Sequence, residues 1–224
     1  MIVWTAFLLA FSALLPIINP FGSAFVFLGL VGNAPGALYR SLARRIAVNN
    51  ILFLAAFEAL GSTILNFFGI SLPIVEVAGG GVVSAIAWGV LNENDSGASA
   101  RRKQEESSDS IDTGFHGLKE KLFYPFTFPI TSGPGTLVTM LTLSAHVSNR
   151  KLSANLLGHA GIFAAVVAVS IVVYFCYAYA PAITAKVPPS TAHGILRVIA
   201  FIMLCIGVQI AWNGLSALLN TLKM

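Results

Sequence analysis

Long apolar stretches separated by short polar connections dominate the chain. A helix crossing the hydrocarbon core of a bilayer needs roughly 20 predominantly apolar residues. Six stretches meet that length: residues 3–31, 46–67, 72–91, 122–145, 153–178 and 194–219. The pattern predicts an all-α membrane protein with six transmembrane helices. The first stretch is read as a span. It has no positively charged leader, and its apolar run continues well past the core of a signal peptide.

Composition narrows this reading. Of the 224 residues, 56% are hydrophobic and only 10% are charged, and the mean hydropathy is +0.82. A water-soluble domain carries about 25% charged residues, so a soluble enzyme, a secreted disulfide scaffold and a disordered chain are excluded as classes. More than half of the charges fall between Glu93 and Lys121, and the stretch 92–117 is rich in Ser, Gly and mixed charge. It is expected to be a flexible linker. The expected organisation is a first three-helix unit over 1–91, a linker over 92–121 and a second unit over 122–224.

Basic residues orient the spans. Arg40, Arg44 and Arg45 lie between spans one and two. Arg101, Arg102, Lys103, Lys119 and Lys121 lie between three and four, and Lys186 lies between five and six. The opposite side carries Arg150, Lys151 and Lys223. This predicts a multi-pass membrane protein with both termini outside and residues 92–121 cytoplasmic. A net charge of +4, thinly spread, gives no basis for nucleic-acid binding. Cys176 and Cys205 sit within apolar runs and read as small buried hydrophobes.

Two interruptions occupy matching places in the two units. Leu15-Pro16-Ile17-Ile18-Asn19-Pro20-Phe21-Gly22-Ser23 breaks span one, and Phe128-Pro129-Ile130-Thr131-Ser132-Gly133-Pro134-Gly135-Thr136 breaks span four. Proline removes a backbone donor and clashes with the preceding turn. Irregular backbone at membrane depth is tolerated only inside protein or along a polar cavity. With three spans per unit, the second unit must enter the membrane from the opposite side. The expected architecture is therefore two inverted three-helix repeats with broken first and fourth helices, a recurring plan of secondary transporters. The half-helices starting near Gly22 and Gly135 are expected to present free N–H groups suited to a carboxylate.

The stretches LLPIINPFGSAFVFLGLVGN (14–33), FGISLPIVEVAGGGVVSAI (68–86), TFPITSGPGTLVTML (127–141) and RVIAFIMLCIGVQIAWNGL (197–215) resemble the MarC family. Its members are also described as small neutral amino acid transporters. The resemblance implies a transporter of glycine, alanine and related solutes in the plasma (inner) membrane of a prokaryote. Asn19, Pro20 and Gly22 match its first motif, and Gly133, Pro134, Gly135 and Thr136 match its second. The family commonly has a basic residue where Glu76 stands, so a role for that position does not carry over.

The candidate solute-binding residues are Asn19, Pro20, Gly22, Ser23, Thr131, Ser132, Gly133, Pro134, Gly135 and Thr136. Gln209 and Asn213, on one face of span six, are candidates to complete the pocket. Glu58 lies at mid-depth in span two, where a charge is costly, and is the candidate for coupling to H+ or Na+. No deep partner for it is evident in the sequence. Glu76 and Arg197 read as interfacial, and Asn49 and Asn50 as helix-packing or interfacial groups. His146, His159 and His193 fall near span ends without metal-ligand spacing. Gly80/Ser84 and Gly81/Ala85 form small-residue pairs for close helix approach. The absence of a GxxxxGK[ST] loop excludes energy from a P-loop ATPase unit in this chain. A transporter needing no cofactor is expected, not an enzyme. Its partners are a neutral amino acid, the bilayer, a coupling ion and a second copy of the chain. The alternative is a channel or a membrane scaffold.

Overall fold

The structure is a computed structural model and describes residues 2–32, 34–92, 121–147, 152–186 and 189–221. Most of the expected linker, and Arg150, Lys151 and Lys223, lie outside the described residues. So do the side chains of Lys186 and His193. The described residues form helices α1 (Ile2–Ile18), α2 (Pro20–Val31), α3 (Gly36–Phe68) and α4 (Leu72–Asn92), followed by an irregular segment, Leu122–Thr131. Helices α5 (Pro134–Val147), α6 (Leu152–Ala178), α7 (Ala180–Lys186) and α8 (Pro189–Thr221) complete them.

Among the described residues, the stretches long and apolar enough to cross a membrane include Ile2–Val31 taken across its break, Leu72–Asn92, Ser153–Ala178 and Gly194–Thr221. Expected span two lies within one 33-residue helix, α3, which begins ten residues before the apolar run. Expected span four is broken, as span one is: Pro125 and Pro129 keep its first part irregular, and α5 follows with 14 residues. The molecule is thus an all-helical membrane protein with several candidate spans.

Lipid gives apolar helices no hydrophobic reason to associate, so close approach and buried hydrogen bonds must hold them. Both are evident. α4 packs most extensively against α8, and α1 and α3 both pack on α6. At the α4–α8 crossing, a Cβ on Gly207 would lie 2.6 Å from the Ser84 hydroxyl and 2.9 Å from the Gly80 carbonyl oxygen. A Cβ on Gly80 would strike Ala211 and Gly207 in return. The expected Gly80/Ser84 pair therefore packs within the chain, whereas Gly81 faces open space.

Phe27 of α2 ties four elements together. Its ring stacks on Tyr177 of α6 at 4.5 Å between centroids and meets Phe126 at 5.3 Å and Tyr39 at 5.7 Å edge-on. The Tyr39 hydroxyl donates to the Gly32 carbonyl at 2.6 Å. That bond closes the C-terminus of α2 and sets the turn into α3.

Candidate functional site: two chain breaks on one buried polar cluster

The first break is a single residue. Asn19 adopts the left-handed conformation (φ 46°, ψ 63°), which Asn tolerates better than most residues. Its N–H still donates to Leu15 at 3.0 Å and closes α1. Its Oδ1 accepts from the Gly22 N–H at 3.0 Å and caps α2. Pro20 follows as the first helical residue, where its missing N–H costs nothing. Gly22 has no side chain because the Asn19 carboxamide lies over it; a Cβ there would also meet Leu196 at 2.9 Å. The expected free N–H at Gly22 is therefore occupied by Asn19. The Ser23 hydroxyl donates to the Asn19 carbonyl at 2.9 Å.

The second break is longer and built on a tandem pattern, Tyr124-Pro125-Phe126-Thr127 followed by Phe128-Pro129-Ile130-Thr131. Tyr124 and Phe128 are extended (ψ 123° and 128°), as residues before proline prefer, and both Tyr124–Pro125 and Phe128–Pro129 bonds are cis. Each threonine hydroxyl donates to the carbonyl five residues back, Thr127 to Leu122 and Thr131 to Phe126, both at 2.7 Å. These side chains satisfy carbonyls that an α-helix would have satisfied through its backbone. Gly133 then starts α5, accepting from the Thr136 N–H at 3.0 Å.

Both breaks lead to one buried cluster. The Thr131 hydroxyl meets the Tyr177 phenol at 2.9 Å, and Ser23 faces the same phenol. Ser132 donates to Oδ1 of Asn50 at 2.5 Å, and Nδ2 of Asn50 donates to Ser170 at 3.0 Å. Asn50, Ser132 and Ser170 are fully buried, and Thr131 is 1% exposed. Thr136 and Gly135 are buried beside the cluster's end of α5, and a Cβ on Gly135 would lie 2.8 Å from Val83 of α4. Ser23, Thr131 and Ser132 are thus brought together, with Asn19 one turn from Ser23. Pro134 is exposed and Gly133 half-buried. Gln209 and Asn213 stand apart, exposed on α8 and bonded to one another at 2.9 Å.

Three members of the cluster were not among the candidate solute-binding residues. Asn50 does pack helices together, but at full burial and not at an interface. Tyr177 and Ser170 looked like ordinary members of an apolar span. The tandem aromatic-Pro-x-Thr pattern was the available signal for the second break's winding.

A separate open cavity of about 670 Å³ lies where the α3–α4 turn meets α5 and α6, and its polar lining includes Glu58, Asn66, Ser144, Asn155 and His159. Glu58 has a partner after all. Its Oε1 lies 2.9 Å from Nδ1 of His159, with the two side chains 10% and 30% exposed. Glu58 and Asn50 are eight residues apart on α3, about 12 Å along its axis. Among the described residues no group of three or more His, Cys, Asp or Glu side chains is placed to hold a metal ion.

Apolar helices joined by small-residue contacts, with broken backbone satisfied deep inside the protein, define a multi-pass integral membrane protein. The chain belongs to the MarC family: the model described as MarC family integral membrane protein matches residues 4–219. It is similar to the UPF0056 membrane protein YvbG of Bacillus subtilis (strain 168), 28% identical over 215 residues with 95% of each chain covered. It is also similar to the UPF0056 inner membrane protein MarC of Salmonella typhimurium, 27% identical over 226 residues with 95% of each chain covered. The inner membrane protein MarC of Citrobacter koseri is 28% identical over 221 residues, again covering 95% of each chain. No solved structure gives a significant match.

Proposed function

We propose that the protein is a secondary transporter of small neutral amino acids such as glycine or alanine in the inner membrane. It works by alternating access between two inverted three-helix repeats. The carrying observation is that two chain breaks, one from each half, converge on the polar cluster of Ser23, Thr131, Ser132, Asn50 and Tyr177.

The packing supports the repeat. α1 of the first half rests on α6 of the second, and the broken segment and α5 of the second half rest on α3 of the first. Exchanging the halves maps one arrangement onto the other, with α4–α8 as the shared pair. In the conformation described, the cluster is closed and its hydroxyls are bonded to one another. A solute reaches it by replacing those bonds, its carboxylate taking the place of the Asn19 carboxamide at the start of α2, where the helix dipole favours an anion. The 670 Å³ cavity is the vestibule. On the reading that the arginine end of α3 is cytoplasmic, this cavity, at the opposite end of α3, faces outward. Glu58, paired with His159 on the vestibule wall, carries the coupling proton or cation.

The test is counterflow of radiolabelled alanine and glycine in proteoliposomes holding the full chain. Saturable uptake driven by unlabelled solute inside, and loss of ion-gradient dependence in Glu58→Gln, are the expected results. No exchange of any neutral amino acid under any ion gradient overturns the reading. Unsaturable flux without countertransport identifies a channel instead.

A further inference from the structure

We infer that Arg44 and Arg45 form a binding site for the anionic phosphodiester headgroup of a membrane phospholipid, seated between α3 and the start of the irregular segment. A hollow of about 230 Å³ is lined there by Arg44, Arg45, Val48, Asn49 and Leu122. It is smaller than the roughly 300–1,000 Å³ of pockets that enclose drug-sized molecules, a size suited to a headgroup whose chains stay in the bilayer.

Three observations carry this. Both guanidinium groups are exposed and border one hollow, and neither has an ion-pair partner among the described residues. The only carboxylates among those residues belong to Glu58 and Glu76. Glu58 lies 13 residues along α3 from Arg45, about 20 Å away, beyond the roughly 8 Å screening length at physiological ionic strength. The cations thus stand uncompensated by the described protein. Beside them the lining turns apolar: Val48 is 50% exposed, one turn along α3 from Arg44, and Leu122 comes from the other half of the chain. A forked cation beside an apolar wall matches a phosphodiester joined to acyl chains, and arginine binds phosphate oxygens in pairs. A basic hollow between helices at the cytoplasmic end is where anionic headgroups bind membrane proteins. Asn49 lines this hollow and its neighbour Asn50 holds Ser132, so an occupied site also braces α3 against the second break.

Native mass spectrometry of the purified full chain reads the binding without reference to transport. The chain is presented in detergent with equal amounts of dioleoyl phosphatidylglycerol and dioleoyl phosphatidylcholine. One charge-assisted hydrogen bond corresponds to roughly a tenfold preference. We expect phosphatidylglycerol to be retained about tenfold over phosphatidylcholine and the preference to vanish in Arg44→Gln/Arg45→Gln. Val48→Glu, which places a carboxylate in the hollow at an exposed position, should abolish it independently. Arg40→Gln removes a nearby charge outside the hollow and should leave most of the preference. Retention of the preference in both the double variant and Val48→Glu overturns the site. An equal loss in Arg40→Gln reduces it to net charge and also overturns it. Displacement of the lipid by millimolar inorganic phosphate would make it a soluble-phosphate site and overturn the lipid assignment.

Discussion

Asn50→Leu tests the polar cluster most directly. Leucine keeps the branched heavy-atom skeleton of asparagine with bulkier methyl ends, so the change opens no cavity, and the lost hydrogen bonds set a lower bound on its cost. Two are lost: the donation to Ser170 at 3.0 Å and the acceptance from Ser132 at 2.5 Å. Hydrogen bonds between membrane helices contribute about 0.6 kcal/mol each on average, so the bonds alone account for about 1 kcal/mol. The hydroxyls left behind differ. Ser170 lies within α6 and can turn to the carbonyl one turn back in its own helix. Ser132 sits in extended backbone (φ −125°, ψ 92°) at full burial and has no such recourse. An orphaned buried hydroxyl costs about 1–3 kcal/mol. The total is about 2–4 kcal/mol, or a fall in melting temperature of about 5–15 °C for a chain of this size. Thermal unfolding of the purified chain in detergent measures it. The double variant Asn50→Leu/Ser132→Ala removes the orphan and should be more stable than Asn50→Leu alone by about 1–2 kcal/mol. Asn50→Leu within 0.5 kcal/mol of the parent, or no recovery in the double variant, would refute the reasoning.

Asn19→Ala should cost about 1–2 kcal/mol, since it removes the α2 cap and puts a Cβ-bearing residue without a compensating bond in the left-handed region; Asn19→Gly should recover at least half of that, both read as unfolding midpoints. Gly207→Val pushes a side chain into Ser84 and the Gly80 backbone and should cost about 3 kcal/mol or prevent folding, whereas Gly81→Ala, facing open space, should leave the chain monodisperse in size-exclusion chromatography. Tyr39→Phe keeps the edge-on contact with Phe27 but loses the 2.6 Å bond to Gly32; a loss of about 1 kcal/mol is expected, with faster amide exchange at the α2–α3 turn as its local signature.

Much of the fold was legible because it depends on local properties. Apolar length marks a membrane helix whatever its neighbours, and α4, α6 and α8 follow stretches 72–91, 153–178 and 194–219 closely. Prolines and glycines interrupt helices by their own stereochemistry, so Asn19-Pro20 and the stretch from Pro129 to Pro134 declared themselves as breaks. Span two was less legible. Its helix begins at Gly36, ten residues before the apolar run, because helix formation continues through arginines that hydropathy discards.

Pattern alone selected Asn19, Ser23, Thr131 and Ser132 as chemically significant, and set Glu58 apart as a deep acid. Only the tertiary structure decided what each of them meets. Asn19 spends its carboxamide on its own helix start, Ser132 on Asn50, and Glu58 on His159. Gln209 and Asn213, equally polar and well spaced, turn outward on α8. The physical reason is that a hydrogen bond joins atoms within about 3 Å, and bonds such as Ser132–Asn50 and His159–Glu58 join residues 82 and 101 positions apart. Composition and spacing select residues able to form such bonds; only the packing of α3 against the second break and α6 brings particular pairs within reach.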